Sequence, residues 1–123
     1  MRVLYVDDEP FIREVAAIAL ELDPEFEVRT VDSGVAALAM LESGAWAPDV
    51  ILLDVMMPGL DGPSTLERLR ETPAYARTPV IFMTAKAQVR DYEPLAALDV
   101  LGIITKPFDP TTVAAQVRAL LPA

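Results

Sequence analysis

The stretch "DVILLDVMMPGLDG", from Asp49 to Gly62, carries the strongest indication of the fold of this chain. Its first half, Asp49–Val55, is almost entirely apolar, which is typical of a strand buried on both faces of a parallel sheet. Asp54 lies near the end of that run, and a loop rich in proline and glycine breaks the backbone directly after it. The pattern indicates a carboxylate held rigidly at the tip of a buried strand, facing a pocket that the loop keeps open.

The same alternation of a short apolar run and an amphipathic stretch occurs five times along the chain. Strands are predicted over Arg2–Asp7, Glu25–Val31, Asp49–Val55, Pro79–Thr84 and Leu101–Thr105, and helices over Pro10–Leu22, Gly34–Glu42, Pro63–Glu71 and within Gln88–Leu98, before a last helix capped by Asp109 and Pro110. This alternation indicates an α/β protein with one domain, residues 1–123: a flavodoxin-like, doubly wound (βα)5 sandwich whose parallel sheet has the order 2-1-3-4-5.

Within the predicted helices, apolar side chains recur at helical spacing. They are Phe11, Val15, Ile18 and Leu22 in the first helix, Val35, Leu38 and Leu41 in the second, Leu66 and Leu69 in the third, and Val113, Val117 and Leu120 in the last. Ser33 is predicted to cap the second helix, and Pro63 suits the first position of the third.

Composition excludes several kinds of chemistry. The chain has 123 residues, of which 53% are hydrophobic, so that it is long and apolar enough for one core. It contains no cysteine and no histidine, which excludes disulfides, thiolate sites, histidine metal ligands and a phosphohistidine within the chain. Polar chemistry therefore depends on carboxylates, hydroxyls, lysine, arginine and the backbone.

The charge of the chain predicts its surroundings. The net charge of −9 repels nucleic-acid phosphates, so no direct binding to DNA or RNA is expected. No apolar run reaches the ~18 residues of a membrane span. Asp7, Asp8 and Glu9 fall where a signal peptide would need an apolar core. We expect a cytoplasmic protein that does not associate with membranes, as a monomer or weak dimer.

Polar residues come at the ends of the predicted strands. Asp7 and Asp8 follow strand 1, Asp54 follows strand 3, Thr84 follows strand 4 and Lys106 follows strand 5. These strands are neighbours in the proposed order, and ligands of such sheets bind outside the carboxyl ends of the strands. Three carboxylates, one hydroxyl and one ammonium group are therefore predicted to converge.

Clustered carboxylates repel each other, and a hard divalent cation relieves this repulsion. Mg²⁺ is the usual partner of two or three carboxylates and a phosphate. A metal ion, a carboxylate nucleophile, a hydroxyl donor and a lysine together indicate a phosphoryl-transfer site.

Four motifs resemble those of the response-regulator receiver domains of bacterial two-component signalling. They are "VDDEP" (Val6–Pro10), "LLDVMMPGLDG" (Leu52–Gly62), "MTA" (Met83–Ala85) and "TKPF" (Thr105–Phe108). Their order and spacing match the family along the whole chain. The resemblance implies a signalling phosphoacceptor that catalyses only its own phosphorylation and dephosphorylation, rather than an enzyme with external substrates.

The resemblance also implies a role for each matching residue. Asp54 accepts the phosphoryl group as an acyl phosphate, Thr84 donates a hydrogen bond to it, and Lys106 neutralises it. Asp8 binds Mg²⁺ directly with Asp54, and Asp7 helps through water. The backbone carbonyl of Met56 is a further ligand. The Lys106–Pro107 peptide bond is expected to be cis.

The donor and the output partner must be other molecules. Because the chain has no histidine, the phosphoryl group must come from a histidine kinase, a histidine phosphotransfer protein or a small phosphodonor such as acetyl phosphate. The resemblance implies an output partner protein without identifying it. We expect a stand-alone receiver, with a receiver excised from a transcription factor or hybrid kinase as the alternative.

Three positions depart from the family pattern. Ile103 replaces the aromatic residue that many receivers have three positions before the lysine. Asp99 occupies a position that is often glycine, where aspartate would tolerate left-handed geometry. Pro94 falls within the predicted fourth helix and favours a late, short helix.

Two other α/β functions remain as less favoured alternatives. A small phosphatase would need a second acidic catalyst near Asp54, and the residues that directly follow it, Val55–Gly59, include none. A flavodoxin-like FMN protein would need serine, threonine and glycine in the first strand-to-helix loop, which here is acidic.

Overall fold

A computed structural model of the protein describes residues 1–85 and 99–122. The five strands are β1 (Arg2–Val6), β2 (Glu27–Val31), β3 (Val50–Asp54), β4 (Val80–Ala85) and β5 (Gly102–Lys106). They form one parallel sheet of order β2-β1-β3-β4-β5, which confirms the predicted topology and places β2 at an edge. The helix predicted within Gln88–Leu98, and Pro94 with it, lies outside the described residues.

Helices cover both faces of the sheet. They are α1 (Pro10–Leu20), α2 (Gly34–Ser43), α3 (Gly62–Glu71) and α4 (Val113–Leu120), with a short 3-10 helix over Pro73–Tyr75. Successive residues of β1 point to opposite faces. Leu4 and Val6 pack with α2 and α3, whereas Val3 and Tyr5 pack with α1 and α4. The central strand β3 is buried along its whole length, as its apolar sequence predicted.

The buried face of α1 differs from the apolar spacing in its sequence. Phe11 is 74% exposed, and Ile18 and Leu22 are each 65% exposed. The buried residues of the helix are Ala16, Ala19 and Leu20. Small alanine side chains let the helix lie close to the sheet, so the larger side chains remain outside. The helix also ends at Leu20, two residues earlier than predicted.

The second helix begins as its capping signal predicts, whereas the third begins at Gly62, one residue before the predicted Pro63, with Asp61 as its cap. The hydroxyl oxygen of Ser33 accepts a hydrogen bond from Ala36 N, and the Asp61 carboxylate accepts one from Ser64 N. Leu66 and Leu69 are buried under α3. In α2 the predicted apolar side is only partly correct, because Leu41 is buried but Val35 is 65% exposed.

The last helix begins later than predicted. Its cap residue is Thr112, and Asp109 instead closes the turn before it, accepting hydrogen bonds from the backbone N–H and hydroxyl of Thr111. Pro110 lies in that turn. The side chain of Asp109 is satisfied locally, so it does not reach the first turn of α4. Val113 and Val117 are buried as predicted, and Leu120 is half-buried.

The structure also corrects the expected geometry of Asp99. In the described part of the chain only glycines have positive φ, so Asp99 is not left-handed. Arg70 contacts both the backbone and the side chain of Asp99. The Arg70 Nη2 donates a hydrogen bond to the Asp99 carbonyl at 2.8 Å, and the Arg70 Nε lies 3.5 Å from the Asp99 carboxylate. Ile103, which also departs from the family pattern, is partly buried against the core beneath α2 and α3.

Candidate functional site

The predicted polar residues lie together at the carboxyl edge of the sheet. Asp7 directly follows β1, Asp54 ends β3, Thr84 is the penultimate residue of β4, and Lys106 ends β5. The parallel registers pair Asp54 with Met83 and Ala85 with Lys106, so the strands end at nearly the same level. The sheet order therefore brings together residues that are up to 99 positions apart in the sequence.

Lys106 bridges two buried carboxylates. Its Nζ lies 3.1 Å from Asp7 Oδ2 and 3.2 Å from Asp54 Oδ2. Burial alone would lower the pKa of the Lys106 ammonium group, but the charges of Asp54 and Asp7 outweigh it and raise that pKa. Lys106 is therefore a fixed positive charge. The Lys106–Pro107 peptide bond is cis, as predicted.

Asp7 is completely buried and has a donor for each oxygen. Its Oδ1 accepts a hydrogen bond from Glu9 N at 3.0 Å, and its Oδ2 accepts one from the Tyr5 hydroxyl at 3.0 Å in addition to Lys106. Burial, reinforced by the charge of Asp7, raises the pKa of the Tyr5 phenol, so the hydroxyl keeps its proton and acts as a donor.

Asp54 is only 3% exposed, and its environment disfavours its charge. Burial raises the pKa of the Asp54 carboxyl to about 6, with Asp7 adding to the effect and Lys106 opposing it. The backbone N–H of Met56 also donates a hydrogen bond to this carboxylate and favours its ionised form. Above pH 6 the Asp54 carboxyl is therefore mainly an anion, and it lines the pocket at this edge of the sheet.

The three aspartates form a cluster suited to a cation. One carboxylate oxygen from each of Asp7, Asp8 and Asp54 lies within 4.8 Å of the others. Oxygen ligands of this kind are those that Mg²⁺ and other hard cations prefer. Burial is the main cause of the raised pKa of the Asp54 carboxyl, and a bound cation would favour the ionised form of this group.

A pocket of about 320 Å³ opens above Asp54 and Lys106. Its remaining lining is Glu9, Ile12, Met56, Ala85 and Pro107. Met56 is 49% exposed at the mouth, whereas Thr84 is completely buried, with its hydroxyl 3.5 Å from the Ala85 carbonyl oxygen. The structure therefore places Asp54 and Lys106 at the surface of the pocket, whereas Thr84 is buried next to the lining residue Ala85.

Tyr5 is the site residue that sequence analysis missed. It lies two positions before Asp7, so the two side chains point to the same face of β1 and its extension. The sequence signal for this role is a hydroxyl in an otherwise apolar strand, two positions before the predicted ligand Asp7. Sequence analysis did not use it because aromatic residues are common in strands for packing alone.

The loop after Asp54 depends on two glycines. Gly59 has a φ angle of 77°, a backbone conformation that residues with a side chain rarely adopt. Gly62 is needed for a different reason, because a Cβ there would lie 2.5 Å from the Asp54 carbonyl oxygen and 2.8 Å from Val55 Cα. The backbone of the loop thus packs directly against the strand end that carries the carboxylate.

Gly62→Ala is expected to destabilise the protein by about 1 to 3 kcal/mol, because the methyl group must displace backbone rather than a flexible side chain. Urea unfolding measures the change. Glu67→Ala, an exposed position in the same helix, is the control and should change stability by less than about 0.5 kcal/mol. Equal stabilities of the two variants would show that the loop moves away from Asp54 without cost.

In the part of the chain that the structure describes, no helix has the length and apolar character of a membrane span. This agrees with the absence of a long apolar run in the sequence.

Comparison with known proteins shows which family the chain matches. The family model described as the response regulator receiver domain matches residues 3–118. The transcriptional regulatory protein CseB of Streptomyces coelicolor is 38% identical over 119 residues, covering 97% of this chain and 48% of that protein. RpaA of Synechocystis sp., a DNA-binding dual master transcriptional regulator, is 35% identical over 120 residues, covering 98% and 48%.

Solved structures show the same relationship. The chemotaxis protein CheY4 of Vibrio cholerae superposes with a TM-score of 0.84 at 31% identity, over 98% of each chain. The chain spans about half the length of the curated relatives named above. With its sheet order, its acidic edge and the match over nearly its whole length, the chain belongs to the response regulator receiver domain family.

Proposed function

We propose that this chain is a phosphoacceptor, in which Asp54 takes a phosphoryl group from a phosphohistidine of a partner protein. The observation that carries the proposal is the position of Asp54. Its carboxylate is buried at the end of β3, bound to Lys106, and faces an open pocket. Because the chain contains no histidine, the donor is a histidine kinase, a histidine phosphotransfer protein or a small phosphodonor.

The transfer step needs no reactant other than Asp54 and the phosphohistidine. An oxygen lone pair of Asp54 forms a bond to phosphorus as the bond between phosphorus and the partner's imidazole nitrogen breaks. The electron pair of the broken bond returns to that ring. Lys106 neutralises negative charge on the transferred group, and the Thr84 hydroxyl donates a hydrogen bond to one of its oxygens. The acyl phosphate carries a charge of about −1.5 to −2, and it replaces the single negative charge of the Asp54 carboxylate at this edge.

Mg²⁺ fits the same site. Asp7, Asp8 and Asp54, with the backbone carbonyl of Met56, are proposed to hold it. When bound, it neutralises charge on the phosphoryl oxygens and on the carboxylates. The fit is supported by the spacing of the three carboxylates, since one oxygen of each lies within 4.8 Å of the others.

The wider role follows from the family. Receiver domains of response regulators are signalling phosphoacceptors rather than enzymes in the usual sense, and histidine kinases are their partners. We propose that residues 1–123 act as a receiver domain in the cytoplasm, as a monomer or weak dimer, and that phosphorylation changes the binding of an output partner protein. The negative charge of this region disfavours direct contact with nucleic acid.

Phosphorylation with a small donor tests the proposal. The protein is incubated with Mg²⁺ and acetyl phosphate, and the intact mass is measured, followed by mapping of the modified peptide after conversion of the acyl phosphate to a stable derivative. One phosphoryl group on Asp54 is expected. Absence of any adduct, or an adduct on another residue, contradicts the assignment.

The metal site has its own expected result. Asp8→Ala should lose most Mg²⁺ binding and become more stable than the wild type in EDTA, because it relieves repulsion between carboxylates. Calorimetric titration and urea unfolding measure the two effects. Asp32→Ala, which removes an exposed aspartate just after β2, is the matched control and should change neither. If Asp8→Ala were less stable than the wild type in EDTA, the cluster would not be repulsive.

A further inference from the structure

Two donors share one oxygen of Asp7. The Tyr5 hydroxyl lies 3.0 Å from Asp7 Oδ2, and Lys106 Nζ lies 3.1 Å from the same atom. A carboxylate oxygen has lone pairs for both. The two donors differ in freedom, since Tyr5 is completely buried in the core beneath α1 and α4, whereas the Lys106 side chain is 16% exposed.

This difference matters because Lys106 is divided between two acceptors. Its Nζ lies at almost equal distances from Asp7 and Asp54, 3.1 and 3.2 Å. Without the Tyr5 hydroxyl, Asp7 Oδ2 would depend on Lys106, and the buried carboxylate would hold Lys106 more tightly because an unpaired buried charge is costly. The Tyr5 hydroxyl offers a donor that cannot turn to Asp54, since its ring is fixed by packing.

We propose that Tyr5 is a positioning residue, which fixes the Asp7 carboxylate for cation binding and leaves Lys106 available to the group on Asp54. The proposal rests on the proposed function of the site. The Tyr5 ring acts through Asp7 and Lys106 and makes no contact with the transferred group. Groups that orient metal ligands in this way are typically worth about 10- to 100-fold in metal affinity.

Tyr5→Phe tests the proposal because it removes the hydroxyl and keeps the ring. The full chain is titrated calorimetrically with Mg²⁺ alone, and its affinity should fall about tenfold or more. The rate of labelling by acetyl phosphate at saturating Mg²⁺ should also fall, because Lys106 is held by Asp7. Labelling should still occur on Asp54.

Tyr75→Phe is the matched control. Tyr75 is also buried, and its hydroxyl donates one hydrogen bond, 2.8 Å long, to the carbonyl of Leu41, away from the acidic cluster. Its loss should lower stability without changing Mg²⁺ affinity. If Tyr5→Phe behaves in the same way, with reduced stability and unchanged Mg²⁺ affinity, Tyr5 is structural only and the proposal is overturned.

The Lys106→Gln variant adds a test of the shared oxygen. The changes in Mg²⁺ affinity caused by Tyr5→Phe and by Lys106→Gln should be non-additive in the double variant, because both donors act on Asp7 Oδ2. Strictly additive effects would show that the two donors act independently, and would overturn the proposal.

A measurement on the wild type needs no variant to fold. The ¹³Cζ resonance of Tyr5 should shift when Mg²⁺ is added, whereas that of Tyr75 should not. An unchanged Tyr5 resonance at saturating Mg²⁺ would contradict the proposal. Failure of the proposed function is a separate result, since it would appear as a wild type that takes no phosphoryl group on Asp54 while the Mg²⁺ titrations remain interpretable.

Discussion

Asp54→Asn is expected to take up no phosphoryl group from acetyl phosphate, with labelling falling below detection at every Mg²⁺ concentration. An amide oxygen is a poor nucleophile, and no other aspartate within residues 1–85 and 99–122 is placed as Asp54 is, buried at the end of a strand, bound to Lys106 and facing the pocket. Intact mass measures the result.

The same substitution should remove a dependence of stability on pH. The pKa of the Asp54 carboxyl is about 6 in the folded protein, above its ordinary value of 3.8. Between these values the folded protein holds a proton that the unfolded chain has lost, so stability falls as the pH rises from about 4 to 7. The loss should be about 1 to 2 kcal/mol, because each pKa unit corresponds to about 1.4 kcal/mol and water in the pocket screens part of it.

The composition makes the dependence of stability on pH simple to assign. With no histidine in the chain, Asp54 is the main side chain expected to titrate between pH 5 and 7. Urea unfolding in EDTA at a series of pH values should give a sloping curve for the wild type and a nearly flat one for Asp54→Asn. The variant should be the more stable of the two at pH 8.

Asp61→Asn is the matched control for both measurements. Asp61 lies in the same loop and caps α3, and asparagine serves equally well as a cap. This variant should be labelled like the wild type and keep its pH dependence. Labelling of Asp54→Asn, or a slope that it retains, would place the nucleophile or the titrating group elsewhere.

Lys106→Met is expected to cost about 3 kcal/mol of stability at pH 8 in EDTA. The substitution leaves Asp7 and Asp54 buried side by side with no bridging cation, and breaking a buried pair by removing one partner typically costs about 3 to 5 kcal/mol. At pH 5 the loss should be smaller, because Asp54 then binds a proton. Mg²⁺ should restore part of the stability by replacing the lost positive charge.

A double variant serves as the control for Lys106. In the Asp54→Asn background one of the two carboxylates is already neutral, so Lys106→Met should cost distinctly less there. Unfolding of the four proteins at pH 8 and pH 5 gives the comparison. A Lys106→Met protein as stable as the wild type at pH 8 would mean that water, rather than Lys106, compensates the two charges.

Much of the fold could be predicted because its strongest signals are local. The apolar runs around Asp54 and Thr84 identify the two strands that flank each other at the centre of the sheet, since a strand buried on both faces has no need of polar residues. Ser33 cap chemistry fixed the start of α2 in the same way, because the hydrogen bond spans only three residues.

The predictions were wrong where contacts between residues that are distant in the sequence, or side-chain hydrogen bonds in a turn, determine the structure. The first helix has two sets of apolar residues at helical spacing, and the sheet selects the alanine side, leaving Phe11 and Ile18 exposed. Close packing of a helix on a sheet depends on side-chain size at the contact, which periodicity does not measure. Asp109 was similarly misassigned, because its carboxylate finds Thr111 before it can reach the helix.

Strand pattern and position specify which groups reach the carboxyl edge of the sheet. These groups are Asp7, Asp8, Asp54, Thr84 and Lys106, each at or directly after the end of a predicted parallel strand. The pairing of these groups depends on the folded chain. Lys106 is divided between Asp7 and Asp54, and Tyr5 shares an Asp7 oxygen with it. Those contacts join β1, β3 and β5, and their distances of about 3 Å depend on strand register and side-chain packing, which no single segment encodes.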